Sequence, residues 1–258
     1  MDVILLGTGA AFPPPDRENT SLALSWEEGL WLLDAAASPH RRMREAGLDP
    51  ARLKGVLITH AHPDHLYGLP SLIHCLIPQP RRHPLPILGL SPVLETARAL
   101  LEAFGLEERP EVPLRWVSVP PASLQGGVPV WREGGMRFWT EAVEHSRPCV
   151  GVRAECADRV VAYTSDTAPC EGVERLAEGS DLLVHEATYR ESARERMHAG
   201  HSTAEDAGRA AERAGSDRLL LVHFLEETVR DPGALEEEAA AVFSGEVMVG
   251  TELGRYPV

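Results

Sequence analysis

Short apolar segments recur along the chain, and polar or glycine-containing turns separate them. Segments of this length, rich in β-branched residues and leucine, predict strands, whereas longer segments with helical periodicity predict helices. The predicted strands are residues 3–6, 20–25, 30–33, 56–59, 84–88, 114–117, 128–131, 136–143, 150–154, 159–163, 182–184 and 219–222. The predicted helices are residues 38–46, with Asp34 as the alternative first residue, and residues 71–77, 91–104, 202–214 and 234–242.

The order of these elements predicts the fold class. Strands and helices alternate at both ends of the chain, and the middle contains only short strands. This order favours an α/β fold with two mixed sheets packed face to face and helices outside, a four-layer αββα sandwich. No repeat or long linker interrupts the chain, so we expect one domain over residues 1–258.

The segment 59–65 follows a predicted strand and contains three histidines and one aspartate. His60 and His62 alternate along an extended chain and face the same side. Pro63 turns the backbone just before Asp64 and His65. Burying polar groups at the end of a strand costs free energy unless they form hydrogen bonds or bind a metal ion. Imidazole and carboxylate suit zinc, and also manganese or iron; a solvated His-rich loop is the alternative. The candidate ligands are His60, His62, Asp64 and His65.

Three more candidate ligands follow strands in the second half of the chain: His145, Asp166 and His223. Taken singly, each is more typical of a capping or hydrogen-bonded polar residue. Together they form a series at strand ends, and loops at one edge of a rigid sheet are a usual place for a site. The seven candidate ligands are enough for two ions. One ion is assigned His60, His62 and His145, the other Asp64, His65 and His223, and both share Asp166. Two ions about 3.5–4 Å apart can share a hydroxide and stabilise an in-line displacement at phosphorus.

Composition limits the partners of the chain. The net charge of −14 argues against a basic surface for duplex DNA, but not against RNA, because bound metal ions and clustered arginines add positive charge locally. No apolar run approaches the ~18 residues of a membrane span. The N-terminal residues lack the features of a signal peptide, so we expect a cytoplasmic protein.

Further motifs accompany the ligands. Leu-Gly-Thr-Gly-Ala occupies 6–10, Asp-His-Leu-Tyr-Gly-Leu-Pro 64–70, His-Glu-Ala-Thr-Tyr 185–189 and His-Ser-Thr 201–203. With the ligand series, these motifs resemble the metallo-β-lactamase superfamily and, more closely, its ribonuclease Z group of phosphodiesterases. The resemblance covers nearly the whole chain, and the last two motifs are its most specific part.

The resemblance implies a binuclear metal-dependent phosphodiesterase that hydrolyses its substrate with a metal-activated hydroxide. It implies two divalent ions, zinc first and manganese or iron as alternatives, and a homodimer. By resemblance, His201 protonates the leaving oxygen, Glu186 supports His201, and Asp64 binds metal and orients the hydroxide. The spacing Ser202-x-x-Glu205 is that of a capping box, which predicts that His201 lies just before a helix N-terminus.

The chain also departs from this group. Asp166 follows His145 by only 21 positions, which leaves no room for the long tRNA-binding arm of full-length ribonuclease Z. The first hypothesis for the substrate is therefore a small or unstructured phosphodiester, a small molecule or short RNA. The second is tRNA 3′-end processing across a dimer surface. A hydrolase of thioesters or lactams and a non-catalytic interaction module are further alternatives, and neither has an evident use for Glu186 and His201.

Overall fold

A computed structural model describes residues 1–258, and the chain divides into two compact units, each built around one β-sheet. The first unit comprises Met1–Gly7, Glu18–Val119 and Thr251–Pro257. The second comprises Thr8–Arg17, Pro120–Gly250 and Val258. The single domain expected over residues 1–258 stays a prediction.

Strands and helices follow one another largely as the sequence predicts. The strands are β1 Asp2–Gly7, β2 Ser21–Trp26, β3 Gly29–Leu33, β4 Leu53–Leu57, β5 Leu85–Gly89, β6 Leu114–Ser118, β7 Trp131–Glu133, β8 Met136–Val143, β9 Cys149–Cys156, β10 Arg159–Tyr163, β11 Leu182–Glu186, β12 Arg218–Val222, β13 Glu246–Val249 and β14 Arg255–Pro257. The α-helices are α1 Pro39–Glu45, α2 Pro63–Leu66, α3 Leu69–Leu76, α4 Ser91–Ala103, α5 Glu171–Ala177, α6 Ala204–Ala214, α7 Glu226–Val229 and α8 Pro232–Ala240.

The sheet of the first unit has the strand order β14-β1-β2-β3-β4-β5-β6. Strands β1 to β3 pair antiparallel, and β3 to β6 pair parallel. Full burial of β3 and β5 explains why their sequences are continuous apolar runs and do not alternate. Because Leu33 pairs with Leu57, the carboxyl ends of β3 and β4 lie side by side and bring the residues that follow them together.

The sheet of the second unit has the order β13-β12-β11-β10-β9-β8-β7. Strands β10 to β13 pair parallel, with Tyr163 opposite Val184 and Glu186 opposite Val222. This register aligns the carboxyl ends of β10, β11 and β12, the edge at which ligands bind in parallel sheets.

Two elements differ from the prediction for reasons of local chemistry. Strand β7 is Trp131–Glu133 and not residues 128–131, because Val128 is exposed after the turn at Gly127 and Pro129 has no N–H to donate. The one-turn helix α2 within the histidine motif was not predicted; Pro63 is its first residue, where a missing N–H costs nothing. No helix reaches the length and apolarity that crossing a membrane requires.

Candidate metal centre

In the first unit, the four candidate ligands lie between the end of β4 and helix α2. His60 Nε2 lies 3.1 Å from His62 Nδ1, and His65 Nε2 lies 3.5 Å from Asp64 Oδ2. The ring centroids of His60 and His65 are 4.2 Å apart. Helix α2 therefore does what the predicted turn was expected to do, and turns Asp64 and His65 back towards the first two histidines.

Asp34 is a residue of the candidate site that the sequence reasoning missed. It is fully buried at the end of β3, and its carboxylate accepts hydrogen bonds from Thr59 N at 2.8 Å and Thr59 Oγ1 at 3.0 Å. Its other oxygen lies 2.8 Å from His65 Nδ1. Asp34 also holds a left-handed backbone with φ of 62°, which is uncommon for a residue with a side chain. The available signal was its position: it directly follows an apolar strand, as His223 does.

In the second unit, Asp166 lies between two histidines. Its Oδ1 is 3.2 Å from His223 Nε2, and its Oδ2 is 3.9 Å from His145 Nε2. The three side chains are at most 3% exposed. One oxygen of Asp166 thus faces each imidazole, the arrangement that a bridging carboxylate requires. Ser165 and His223 have φ of 57° and 65°, and such backbone strain in non-glycine residues clusters at functional sites.

The hydrogen bonds of the imidazoles fit metal ligation. In four of them Nδ1 lies within hydrogen-bond distance of an oxygen: His60 with Thr59 Oγ1 at 3.1 Å, His65 with Asp34, His145 with the Gly200 carbonyl at 2.8 Å, and His223 with Thr188 Oγ1 at 2.8 Å. An oxygen partner at Nδ1 fixes the tautomer and makes Nε2 the nitrogen that ligates. Buried histidines and aspartates held in this way suit a divalent metal ion.

Glu186 is buried and connects the strand ends of the second unit. Its Oε1 accepts hydrogen bonds from Thr167 N at 2.9 Å and lies 2.8 Å from His201 Nδ1. Its Oε2 accepts from the Thr188 hydroxyl at 2.6 Å and from Ser202 N at 3.2 Å. Burial raises the pKa of the Glu186 carboxyl, but the neighbouring imidazoles, His201 first and then His223, together outweigh this, so the net effect lowers the pKa. An ionised Glu186 therefore orients His201 through its Nδ1–H.

Thr188 is a second residue without a predicted role. Its hydroxyl donates to Glu186 and is the oxygen that contacts His223 Nδ1, so one side chain links a candidate metal ligand to the Glu186–His201 pair. The donor atoms of Glu186, His201 and His223 lie within 4.8 Å of one another. His185, the first residue of the same motif, is buried with Nδ1 against the Glu186 carbonyl, and burial lowers its pKa.

The predicted capping box is displaced by one residue. The N-cap of α6 is Thr203, and its partner is Asp206, not the predicted pair Ser202 and Glu205. Ser202 is occupied elsewhere, because its N–H donates to Glu186 and its hydroxyl donates to the Thr167 carbonyl at 2.6 Å. Placement of His201 just before the helix is confirmed, although two residues and not one separate it from the first helical residue.

Known proteins share this arrangement of elements and motifs. A family model described as a beta-lactamase superfamily domain matches residues 26–224. A protein named Ribonuclease Z from Salinibacter ruber is 33% identical, and the alignment covers 99% of this chain and 94% of the relative. This alignment has 313 positions, 55 more than the chain has residues, so the relative carries segments that have no counterpart here. The Ribonuclease Z of Ignicoccus hospitalis is 31% identical, with 93% of both chains covered.

Solved structures show the same fold. Human tRNase Z, short form, superposes with a TM-score of 0.82 at 24% identity over 100% of both chains. The fold class predicted from the sequence, the metallo-β-lactamase sandwich with mixed sheets, is confirmed, as is the enzyme class of metal-dependent hydrolase. The chain belongs to the β-lactamase superfamily and, within it, to the ribonuclease Z family.

Proposed function

We propose that this chain is a binuclear metal-dependent phosphodiesterase of the ribonuclease Z type. The observation that carries the proposal is the Glu186–His201 pair, held beside Asp166 and His223 at the carboxyl ends of β10, β11 and β12. Alkoxide leaving groups of phosphodiesters need a proton, and a carboxylate-supported histidine can supply it. Hydrolysis of a lactam or thioester has no evident use for this pair.

The metal ligands we propose are His60, His62 and His145 for one ion and Asp64, His65 and His223 for the other, with Asp166 shared by both. Asp166 is supported as the shared ligand because its two oxygens face two different histidines of the second unit. Zinc is the first choice for this set of histidines and carboxylates, with manganese or iron as alternatives. When bound, such ions lower the pKa of water and stabilise charge at phosphorus.

His201 acts as the proton donor in this proposal. With Nδ1–H donated to Glu186, Nε2 is the nitrogen that exchanges a proton with the substrate. The buried, ionised Glu186 stabilises the protonated imidazole before the transfer and keeps the ring in one orientation. Asp64 serves as ligand and, by the family resemblance, orients the attacking oxygen.

RNA or a small phosphodiester is the substrate class, and tRNA 3′-end processing is the second candidate. The second candidate is favoured by the match, over nearly the full chain, to relatives named Ribonuclease Z. The short segment between His145 and Asp166 argues for a smaller or less structured substrate. A homodimer in the cytoplasm is the state we propose, with the subunit number measured by light scattering.

The test is cleavage of a precursor tRNA with a 3′ trailer by zinc- or manganese-loaded protein, with bis(p-nitrophenyl) phosphate in parallel. Asp166→Ala is the control, and it should lose metal and activity together because one residue serves both ions. The wild-type protein should hold close to two ions. A cut at the tRNA 3′ boundary identifies the processing enzyme, and turnover of the aryl ester alone identifies a small-substrate phosphodiesterase. Activity on either substrate in metal-free protein would contradict the proposal.

A further inference from the structure

A cleft of about 450 Å³ in the second unit opens beside His201 and His223. Both histidines line it, together with Phe12, Tyr189, Arg196, His198 and Glu227. The proposed proton donor therefore shares the cleft with aromatic side chains, one arginine and one acid. A group bound in the cleft would lie beside His201.

Phe12 is the most exposed large apolar side chain of the molecule, with 80% of its surface accessible. Its loop is nevertheless fixed to the second unit, because Ala10 N donates to the Phe224 carbonyl and Phe224 N donates to the Thr8 carbonyl, each at 2.9 Å. Three prolines follow at 13–15 and restrict the backbone further. A rigidly presented aromatic ring loses little conformational freedom when a ligand stacks on it.

Arg17 holds the far end of the same loop in place. Its guanidinium donates to Thr8 Oγ1 and to the Gly250 carbonyl at 3.0 Å, and lies over the Phe224 ring with its carbon 5.3 Å from the centroid. Phe224 directly follows His223. The position of Phe12 is thus coupled to the strand end that carries a proposed metal ligand, and not to a mobile surface segment.

Arg196 supplies positive charge in the same cleft. Two arginines of the neighbouring segment are paired with acids, Arg190 with Glu238 and Arg194 with Glu191 and Asp206. Arg196 is exposed, forms no ion pair and lines the cleft. In a chain with a net charge of −14, an arginine left available beside the reaction site favours an anionic group.

We propose that this cleft binds the nucleoside on the leaving side of the scissile phosphodiester, with its base stacked on Phe12 and an adjacent phosphate held by Arg196. The assignment rests on the proposed function, and it narrows the substrate to nucleotides. Base stacking on an aromatic ring tolerates any base, because every base has a π-face. The cleft consequently selects for the presence of a base and not for its identity.

The first experiment compares the metal-loaded wild type with Phe12→Ala and Phe12→Trp on three substrates: the dinucleotide ApA and two analogues that lack the base on one side or the other. Wild type should prefer ApA by roughly 5- to 150-fold in kcat/KM, the range that stacking gives, over the analogue that lacks the base of the nucleoside released with a free hydroxyl, and should not prefer it over the other analogue. Phe12→Ala should abolish that preference, and Phe12→Trp should restore it. Phe104→Ala removes another exposed phenylalanine, 66% accessible in the first unit, and should leave the preference as in wild type.

A binding measurement separates this inference from the proposed function. Calorimetric titration of the metal-loaded protein with adenosine 5′-monophosphate and ribose 5-phosphate isolates the contribution of the base, and Phe12→Ala should remove it. Arg196→Gln should weaken binding of the monophosphate but not of adenosine. No hydrolysis of any phosphodiester would refute the proposed function, while the titration still decides the base site. Equal affinity for the two phosphates, or a base preference that survives in Phe12→Ala, would overturn the inference.

Discussion

Asp34→Asn tests whether the carboxylate at the end of β3 organises the metal ligands of the first unit. Asparagine has nearly the same shape and tolerates the left-handed φ of 62° at this position. The substitution therefore leaves the backbone in place and changes only the charge and one acceptor. Asp158→Asn, in the exposed turn between β9 and β10, is the matched control.

The structure sets the size of the effect. The Asp34 carboxylate accepts hydrogen bonds from Thr59 N and Oγ1 and contacts His65 Nδ1 at 2.8 Å, all in a fully buried position. Asparagine keeps one of the two oxygens of the carboxylate. Its amide NH2 group replaces the other oxygen and places a donor against the donors of Thr59 or His65. Losing the charge-assisted bond and leaving a buried donor unsatisfied costs about 2–4 kcal/mol in the free energy of unfolding. Since Asp34 also sets the tautomer of His65, metal affinity should fall roughly 10- to 100-fold.

Two measurements check this prediction. Urea unfolding of the metal-free protein gives the loss of stability, and competition with a chromophoric chelator gives the zinc affinity. Asp34→Ala should be less stable than Asp34→Asn by about a further 1 kcal/mol, because alanine lacks the tolerance for a left-handed backbone. Wild-type zinc affinity in Asp34→Asn would refute the role assigned to this carboxylate, whatever happened to stability.

Three further predictions concern the second unit. His201→Ala should keep its metal, measured by mass spectrometry, but lose on the order of 10²–10⁴-fold in rate; full activity on a poor-leaving-group ester would show that His201 is not the proton donor. Gly200→Ala should weaken zinc binding, because φ is +91° and an added Cβ would lie 2.9 Å from His145 Nδ1; an unchanged chelator competition curve would contradict this. Burial raises the pKa of Asp181, but hydrogen bonds from Arg159 and from the backbone outweigh it and lower the pKa from the ordinary 3.8. The ionised form is therefore the one that stabilises the fold, so Asp181→Asn should reduce stability at pH 7, and the difference in urea midpoint should shrink as the pH falls below 3.8; a difference that stays constant with pH would disprove this coupling.

Much of the fold could be predicted from local patterns. Apolar runs such as those of β3, β4 and β12 specify buried strands because their composition leaves no polar face. The candidate ligands were found because they lie just after such strands and, taken together, form a series of histidines and aspartates. The motif 185–189 gave Glu186, and the motif 201–203 gave His201.

Other features depended on contacts between residues far apart in the chain. Asp34 lies 31 positions before His65, and a lone aspartate after a strand is ordinary until the parallel pairing of β3 and β4 places it beside the histidine motif. Ser202 had the spacing of an N-cap, but the hydrogen bonds to Glu186 and Thr167 outcompete that role, and Thr203 takes it. Local propensity contains no information about a competing hydrogen bond to a residue 35 positions away.

The sequence by itself determined which residues are candidates for the chemistry, because metal ligation and proton transfer require particular side chains and leave a recognisable spacing. Only the tertiary structure decided how those side chains are held. The tautomer of each imidazole, the ionisation of Glu186 and the loop that presents Phe12 beside His201 depend on hydrogen bonds and packing between separate strand ends. Those interactions are set by sheet register, a property of the folded chain that no local stretch of sequence contains.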